Sequence, residues 1–259
     1  MLPLAEWPLE ARRAIRGVFT DIDDTLTTEG AITEDAVHAL ATLRDLGVIV
    51  VPITGRPMGW SQPFARSWPV AAIVPENGAM ALLPDGRTLY MQDQATRSRN
   101  AARLAQVAQR VLDEVPGATL ARDSAGRVTD IAVDHSEFAH LPPQRIEQIV
   151  ALMRSEGMVA TVSSIHINGW FGEHDKLSGA RWVVRELYGR DLDAEIEQWV
   201  YVGDSTNDQL MFDHFANSIG VANIERFLPQ LRHRPRYVTR GERGAGFAEV
   251  ARALRDAKK

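Results

Sequence analysis

The stretch that decides the fold is GVFT (17–20), which runs directly into the acidic segment DIDDTLT (21–27). The first four residues predict a short buried strand. Asp21 and Asp23 lie two residues apart at its end, so both side chains can point into the crevice above the carboxyl edge of a parallel sheet. The same residue types also suit a helix N-cap or a solvated turn. Taken alone, the segment suggests a functional site without defining one.

Short apolar runs alternate with amphipathic stretches at both ends of the chain. Uninterrupted apolar strands separated by helices indicate a parallel sheet covered on both faces. The predicted strands are 17–20, 47–53, 71–74, 199–202, 218–222 and 237–239, and the predicted helices are 33–46, 177–188 and 246–254. This pattern predicts an α/β fold, a Rossmann-like doubly wound parallel sheet, with Thr33 as the N-cap of the first helix.

The middle of the chain has a different pattern. A predicted hairpin over 81–91 and a long helix over 96–115 precede strands at 119–122 and 128–133, a helix at 143–156, and strands at 159–162 and 164–168. The order β-β-α-β-β-α-β-β implies a largely antiparallel sheet with helices on one side. We therefore expect a core formed by residues 1–80 and 173–259, with an inserted α+β cap over residues 81–172.

Composition excludes several classes of function. The chain has 259 residues, 45% of them apolar and 24% charged, and a net charge of −5. This acidity disfavours nucleic acid and anionic membranes as partners. The absence of cysteine excludes a disulfide framework, a thiolate nucleophile and a cysteine-ligated metal. With no signal-peptide pattern and no apolar run of membrane-spanning length, we expect a cytoplasmic protein, either a monomer or a homodimer.

Two further motifs can bind an anion. Thr54-Gly55-Arg56 ends the second predicted strand, where a hydroxyl and an exposed backbone N–H can face a phosphate, although a simple turn would use the same residues. Lys176 begins a predicted helix, where the helix dipole disfavours a cation unless both face a bound anion. A solvated surface lysine is the alternative.

The fourth motif, GDSTND (203–208), follows the predicted strand 199–202. Asp204 stands at the strand end, and Asp208 lies one turn further on if a helix begins near Thr206. An N-cap aspartate is again the alternative. Two acidic strand ends in one sheet nevertheless repel each other unless a cation is bound. Oxygen ligands of this kind predict Mg²⁺.

Together these motifs resemble those of the haloacid dehalogenase-like superfamily of phosphotransferases, in the family's order and on its expected elements. The inserted cap, with PENGA (75–79), is similar to subclass IIB, the Cof-type and sugar-phosphatase-like group. The resemblance covers the chain from Val18 onward. Asp24 and the pair Leu177-Ser178 stand where many relatives have glycine, but neither departure removes a catalytic group.

The resemblance implies a role for each motif. Asp21 would be the nucleophile that forms an aspartyl-phosphate, and Asp23 would be the general acid and base. Thr54 and Lys176 would complete the catalytic set by stabilising charge on the transferring oxygens. The implied metal ligands are Asp21, Asp23 through its backbone carbonyl, Asp204 and Asp208. The expected substrate contacts are Thr54, Gly55, Arg56, Lys176, Asn207 and His166.

The cap is expected to select the substrate. Alternation over 164–168 places Ser164, His166 and Asn168 on one face, which can bind sugar hydroxyls, with Trp170 able to stack on a sugar ring. An exposed polar sheet face with a surface tryptophan is the alternative. The start of the long cap helix carries Arg97, Arg99 and Arg103. These arginines can bind a second anionic group or form a solvated helix face.

The favoured function is a Mg²⁺-dependent phosphatase for a small phosphorylated metabolite, with a sugar phosphate as the leading substrate. Phosphoglycolate and mannosyl-3-phosphoglycerate are alternative substrates. A phosphomutase of the phosphomannomutase type resembles the same capped architecture. A phospho-aspartate receiver also combines Asp, Thr and Lys, but receivers are about half this length and lack both the cap and the second acid.

Overall fold

The computed structural model describes residues 1–259 and contains two layered parts. The strands are β1 (Leu2–Pro3), β2 (Gly17–Thr20), β3 (Thr27–Thr28), β4 (Ala31–Ile32), β5 (Ile49–Pro52), β6 (Met80–Leu82), β7 (Thr88–Tyr90), β8 (Thr119–Leu120), β9 (Asp130–Asp134), β10 (Val159–Val162), β11 (His166–Trp170), β12 (Trp199–Gly203), β13 (Asn217–Gly220) and β14 (Tyr237–Val238). The helices are α1 (Leu9–Ala14), α2 (Glu34–Asp45), α3 (Met58–Ser67), α4 (Gln94–Glu114), α5 (Pro143–Ser155), α6 (Lys176–Tyr188), α7 (Gln209–His214) and α8 (Arg243–Ala257). None of the helices is both long and apolar enough to cross a bilayer.

The core is a six-stranded parallel sheet in the order β1-β14-β13-β12-β2-β5. Successive residues of a strand point to opposite faces, so a sheet covered on both sides needs apolar residues at every position. Val18 packs with α2 and α8 on one face, while Phe19 packs with α6 and α7 on the other. The predicted α/β core is confirmed.

Strand register brings the motifs together. Thr20 at the end of β2 pairs with Val202 on one side and with Pro52 on the other. The residues that follow these three positions therefore emerge at the same carboxyl edge. This edge holds the segments that begin at Asp21 and Asp204, with Thr54 two residues beyond β5.

The cap is a four-stranded antiparallel sheet in the order β10-β11-β9-β8. Its apolar face, which includes Val133 and Ile167, packs against α4 and α5. The residues that alternate with these on β11 are His166, Asn168 and Trp170, so they lie on the opposite face of the sheet. Asn168 contacts the core from that face, because its Nδ2 donates to the Gly55 carbonyl at 3.3 Å.

Several elements differ from the sequence prediction. The hairpin β6–β7 forms, but it stands outside the cap sheet, and Ala81 and Leu89 pack with the core cluster around Phe19. The strand predicted over 164–168 begins two residues later, at His166. Thr33 occupies the N-cap position of α2, but its side chain makes no capping hydrogen bond. Strand β1 was not predicted, because two residues are too few to show a periodicity.

Candidate active site

Three buried side chains meet at the carboxyl edge of the sheet. Lys176 Nζ donates to Asp21 Oδ1 at 2.8 Å and to Asp208 Oδ1 at 2.7 Å. Asp175 caps the helix that presents the lysine, since its carboxylate accepts the Ser178 N–H at 2.7 Å. The first residue of α6 is therefore held pointing into the site. The lysine places one cation between two carboxylates that come from separate strands.

The site contains more negative than positive charge. Burial, aided by the nearby charges of Asp208 and Asp23, raises the pKa of Asp21 to about 7 even though Lys176 opposes the shift. Burial and the charges of Asp208 and Asp21 also raise the pKa of Asp204 well above its ordinary range. Burial alone would lower the pKa of Lys176, but the carboxylates of Asp208 and Asp21 raise it. These shifts show that one lysine does not neutralise the acids around it.

The donor set suits a hard divalent cation. Asp21, Asp204 and Asp208 each present a carboxylate oxygen, and these oxygens lie within 4.8 Å of one another. All three residues are buried. Buried carboxylates at this separation repel one another, and Mg²⁺ binds carboxylate oxygens together with water and phosphate. The residues present therefore fit a magnesium ion.

Asp204 is held by residues that the sequence analysis missed. Asn223 Nδ2 donates to Asp204 Oδ2 at 3.2 Å and to the Asp24 carbonyl at 2.9 Å. Arg226 reaches the same Asp204 oxygen at 3.3 Å and pairs with Asp24 at 2.6 Å. Asp24 itself adopts a left-handed φ of 56°. No short motif marks Asn223 or Arg226, because both lie in a turn after β13, far from the four motifs.

Tyr201 is a second missed residue. It lies on β12 with its side chain fully buried, and its hydroxyl donates to Asp208 Oδ1 at 2.5 Å. Backbone N–H groups of Asp204 and Ser205 donate to the other Asp208 oxygen at 2.9 and 3.1 Å. Asp208 is thus fixed by several donors on the short turn 206–208. Tyr201 belongs to the uninterrupted apolar run of β12, which gave it no separate signal.

Motif two lies beneath the cap. Thr54 is buried, and its Oγ1 accepts the Arg56 N–H at 3.1 Å. The Gly55 carbonyl accepts Arg127 Nη1 at 3.0 Å and Asn168 Nδ2 at 3.3 Å, both from the cap. A Cβ at position 55 would lie 3.1 Å from Asn168 Oδ1, so the cap approaches too closely for a larger residue. The glycine therefore allows the cap to close on this loop.

Arg56 joins Asp23 to the cap. Its Nε donates to both Asp23 oxygens at 2.9 and 3.0 Å, while its other nitrogens reach Asp123 at 3.2 Å and Glu137 at 2.9 Å. The side chain is 6% exposed. In this arrangement the guanidinium binds protein carboxylates on three sides, and its predicted contact with substrate stays a prediction.

His166 connects to the same network. Its Nε2 lies 2.8 Å from Glu137 Oε2. Burial alone would raise the pKa of Glu137, but the hydrogen bond from His166 and the charge of Arg56 lower it to about 2. Asp134 orders the loop that carries Glu137 by accepting four backbone N–H groups from residues 136–139. Glu137 and Asp123 were not predicted, since nothing in a loop sequence distinguishes them from solvated acids.

Glu76 forms a second connection between core and cap. Its carboxylate is fully buried and accepts the N–H groups of Met58 at 3.0 Å, Val128 at 3.1 Å and Thr129 at 2.6 Å, together with the Thr129 hydroxyl at 2.6 Å. Thr206 adds a bond from the core to the cap, because its hydroxyl donates to the Val162 carbonyl at 2.8 Å. The cap is thus docked on the core through buried polar contacts.

Two cavities flank the buried carboxylates where the cap meets the core. One, of about 330 Å³, is lined by Lys176, Asn207, Asn77 and Trp170 among others. The other, of about 470 Å³, is lined by Asp23, Arg56, Trp60 and Glu137 among others. Asn207 accepts the Ser205 hydroxyl at 2.9 Å and faces the first cavity.

The remaining cap residues lie in different settings. Trp170 is 1% exposed and donates its Nε1–H to the His174 carbonyl at 2.8 Å, so it is not the surface tryptophan of the alternative interpretation. The guanidinium of Arg97 stacks over the ring of Tyr90, and that of Arg103 stacks over the ring of Phe171. Both cations therefore make cation–π contacts within the protein. Neither Arg97 nor Arg103 lines either of the two cavities, whereas Trp170 lines the smaller one.

Comparison with known proteins finds similarity to one class of hydrolase. A family model for haloacid dehalogenase-like hydrolases matches residues 18–112, which include the first two motifs. Over these residues the chain is similar to haloacid dehalogenase-like hydrolases.

Two relatives align over most of their length. The phosphoglycolate phosphatase of Methanothermobacter thermautotrophicus is 24% identical over 242 residues, covering 92% of this chain and 98% of the relative. That of Haloarcula marismortui is 27% identical over 249 residues, covering 92% and 97%. The sucrose-phosphatase of Synechocystis, solved with sucrose and phosphate, superposes with a TM-score of 0.67 at 16% identity, covering 93% and 98%. This structural likeness shows the fold.

Proposed function

We propose that this protein is a haloacid dehalogenase-like phosphatase that depends on Mg²⁺, uses Asp21 as its nucleophile and acts on a small phosphorylated metabolite, with a sugar phosphate as the leading substrate. The observation that carries the proposal is the position of Lys176 Nζ between Asp21 and Asp208, with Asp204 in the same buried group. A buried cation surrounded by carboxylates suits the binding of a phosphoryl group next to a divalent metal.

The proposed reaction has two displacements. An Asp21 oxygen attacks phosphorus, the bond from phosphorus to the leaving oxygen breaks, and Asp23 gives that oxygen a proton. Asp23 then takes a proton from water, whose oxygen attacks the aspartyl-phosphate and releases inorganic phosphate and free Asp21. Lys176, the Thr54 hydroxyl and the Gly55 N–H stabilise the charge on the transferring oxygens.

Arg56 must share Asp23 with the substrate in this scheme. Asp23 faces the larger cavity, and both of its oxygens accept from Arg56 Nε. An ionised carboxylate held this way cannot donate a proton. We infer that the leaving oxygen displaces Arg56 from Asp23, and that Asp123 and Glu137 retain the guanidinium.

Asp21, Asp204 and Asp208, with the backbone carbonyl of Asp23, would hold the magnesium ion. Bound there, the ion screens the anionic nucleophile from the anionic phosphate, which would otherwise repel each other.

The larger cavity supports a polyhydroxyl leaving group. Its lining includes Asp23, Glu137 and Trp60, and Arg56 is its one cation. Carboxylates accept hydrogen bonds from hydroxyl groups, whereas an excess of acids disfavours a second anionic group. The second candidate substrate is phosphoglycolate, favoured by the names of the two aligned relatives. A phosphomutase remains a further alternative, and cytoplasmic location and a monomer or homodimer stay predictions of the sequence.

The test measures inorganic phosphate released from hexose, trehalose and sucrose phosphates, phosphoglycolate and mannosyl-3-phosphoglycerate, with Mg²⁺ or with EDTA. We expect release that requires Mg²⁺, is lost in Asp21→Asn and is retained in Asp113→Asn, which changes an exposed aspartate on α4. Phosphate that remains in an organic product would indicate the mutase. Release that survives Asp21→Asn would refute the proposed nucleophile.

A further inference from the structure

Asn77 is a buried polar residue without a role in the proposed reaction. It lies in the loop 75–79 and is 2% exposed, and its Nδ2 has no hydrogen-bond partner. Buried amide groups in folded proteins nearly always have partners, so an unpaired donor calls for a physical explanation. The surroundings of Asn77 point to a ligand as the missing partner.

The position of Asn77 is fixed from two sides. Its backbone N–H donates to the Thr54 carbonyl at 2.9 Å, which ties it to motif two. The following residue, Gly78, packs against the start of α6 so closely that a Cβ there would lie 2.3 Å from the Asp175 carbonyl oxygen. Asn77 is thereby held between the loop of Thr54 and the helix that presents Lys176.

The side chain of Asn77 faces the substrate region. It lines the cavity of about 330 Å³ together with Lys176 and Asn207. Its side-chain amide atoms would lie 3.5 Å from a Cβ atom placed on Gly55. The unpaired donor therefore lies beside two groups that the proposed reaction assigns to the phosphoryl group.

The backbone of Asn77 limits which residues can stand there. Its φ is 55°, in the left-handed region that asparagine and glycine adopt most readily. Glycine would satisfy the backbone equally well but would bring no amide into the cavity.

We propose that the Asn77 side-chain amide is a substrate-binding donor, which hydrogen-bonds an oxygen of the phosphorylated substrate in this cavity. The inference rests on the proposed phosphatase function and adds a binding residue to it. The acceptor is a phosphoryl oxygen, because Asn77 lines the cavity of Lys176 and the proposed leaving group occupies the other cavity beside Asp23.

Asn77→Gly is the decisive variant, because it removes the amide and keeps the left-handed backbone free of strain. We expect its melting temperature to stay close to that of the wild type and its KM to rise about 10-fold, as for loss of one hydrogen bond to a charged or polar oxygen. Asn77→Asp, which replaces the donor with an anion, should raise KM further. Asn100→Ala, which removes a cap amide that lines neither cavity, serves as the control.

Inhibition by inorganic phosphate identifies the acceptor. A parallel rise in KM and in the inhibition constant of phosphate supports a bond to a phosphoryl oxygen, and a rise in KM alone contradicts it. A folded Asn77→Gly with both constants within twofold of wild type would overturn the inference.

If the wild type releases no phosphate from any substrate, the proposed function fails by itself. The Asn77 donor is then tested by the thermal shift that inorganic phosphate with Mg²⁺ produces in wild type and in Asn77→Gly. An equal shift in the two proteins contradicts the inference, and a smaller shift in the variant supports it.

Discussion

Replacing Lys176 by methionine separates the structural role of this residue from its proposed catalytic role. Methionine has nearly the same length and stays apolar, so the substitution removes the charge and the donors without leaving a large cavity. In the wild type, Nζ contacts Asp21 at 2.8 Å and Asp208 at 2.7 Å, and the side chain is only 3% exposed. The variant leaves two buried carboxylates facing each other with no cation between them.

The structure sets the size of the effect. Removing one partner from a buried ion pair costs about 3 to 5 kcal/mol, because the remaining charge stays buried and unpaired. The pKa of Asp21 is already raised to about 7, so proton uptake by the carboxyls limits the loss. We expect the free energy of unfolding to fall by about 4 kcal/mol without Mg²⁺. Loss of the donor to the transferring phosphoryl oxygens should lower kcat by about 10²- to 10³-fold.

The two effects respond differently to Mg²⁺. A divalent cation among Asp21, Asp204 and Asp208 replaces the missing positive charge, so Mg²⁺ should stabilise the variant more than the wild type. It does not supply the lysine N–H, so kcat should remain low. Urea denaturation with and without Mg²⁺ measures the free energy of unfolding, and phosphate-release kinetics measure kcat. The control is Lys259→Met, which changes an exposed lysine. A Lys176→Met enzyme that loses under about 1 kcal/mol and keeps kcat within threefold would refute this account.

Two further predictions concern stability. Burial lowers the pKa of His174 from 6.5 to about 4. As the pH falls from 6.5 to 4, the unfolded chain therefore binds a proton that the folded protein does not, and the folded protein loses stability. His174→Phe places another aromatic ring against Trp170 and should remove about 2.5 kcal/mol of the stability change between pH 7 and 4.5, whereas exposed His38→Phe should not, as urea denaturation at the two pH values will show. Glu76→Gln leaves cap N–H groups without a carboxylate acceptor, so the free energy of unfolding measured by urea denaturation should fall by about 3 kcal/mol. The control Glu186→Gln changes an exposed residue and should leave the stability unchanged. Equal stability of the two variants would contradict the buried core–cap contact.

Local patterns predicted the fold class because they depend on neighbouring residues. Strand β2 reads as buried from four residues, and DIDDTLT follows it at once. Parallel register then requires strand ends to share one edge, so the meeting of Asp21 and Asp204 was foreseeable from the order of strands and helices. The hairpin β6–β7 was foreseeable as a hairpin, but its docking on the core was not, since apolar residues suit either part.

Contacts between distant segments were decided by tertiary structure. Arg56 meets Asp123 and Glu137 across 67 and 81 residues, and Glu76 meets Thr129 across 53. A charged residue in a loop has the same local signature whether it is solvated or buried in a network. Only the closed position of the cap gives these residues their partners.

Periodicity and strand-end chemistry are local properties, so the sequence predicted the parallel core and located the four motifs, whereas the bounds of the cap stay a prediction. Tertiary structure alone decided that Asn223, Arg226 and Tyr201 support the acids, that Arg56 holds Asp23, and that Asn77 keeps an unpaired amide. The physical reason is that a buried polar group stabilises the fold when it has a hydrogen-bond partner and destabilises it when it has none. Which groups are buried, and beside which partners, depends on the packing of the whole chain.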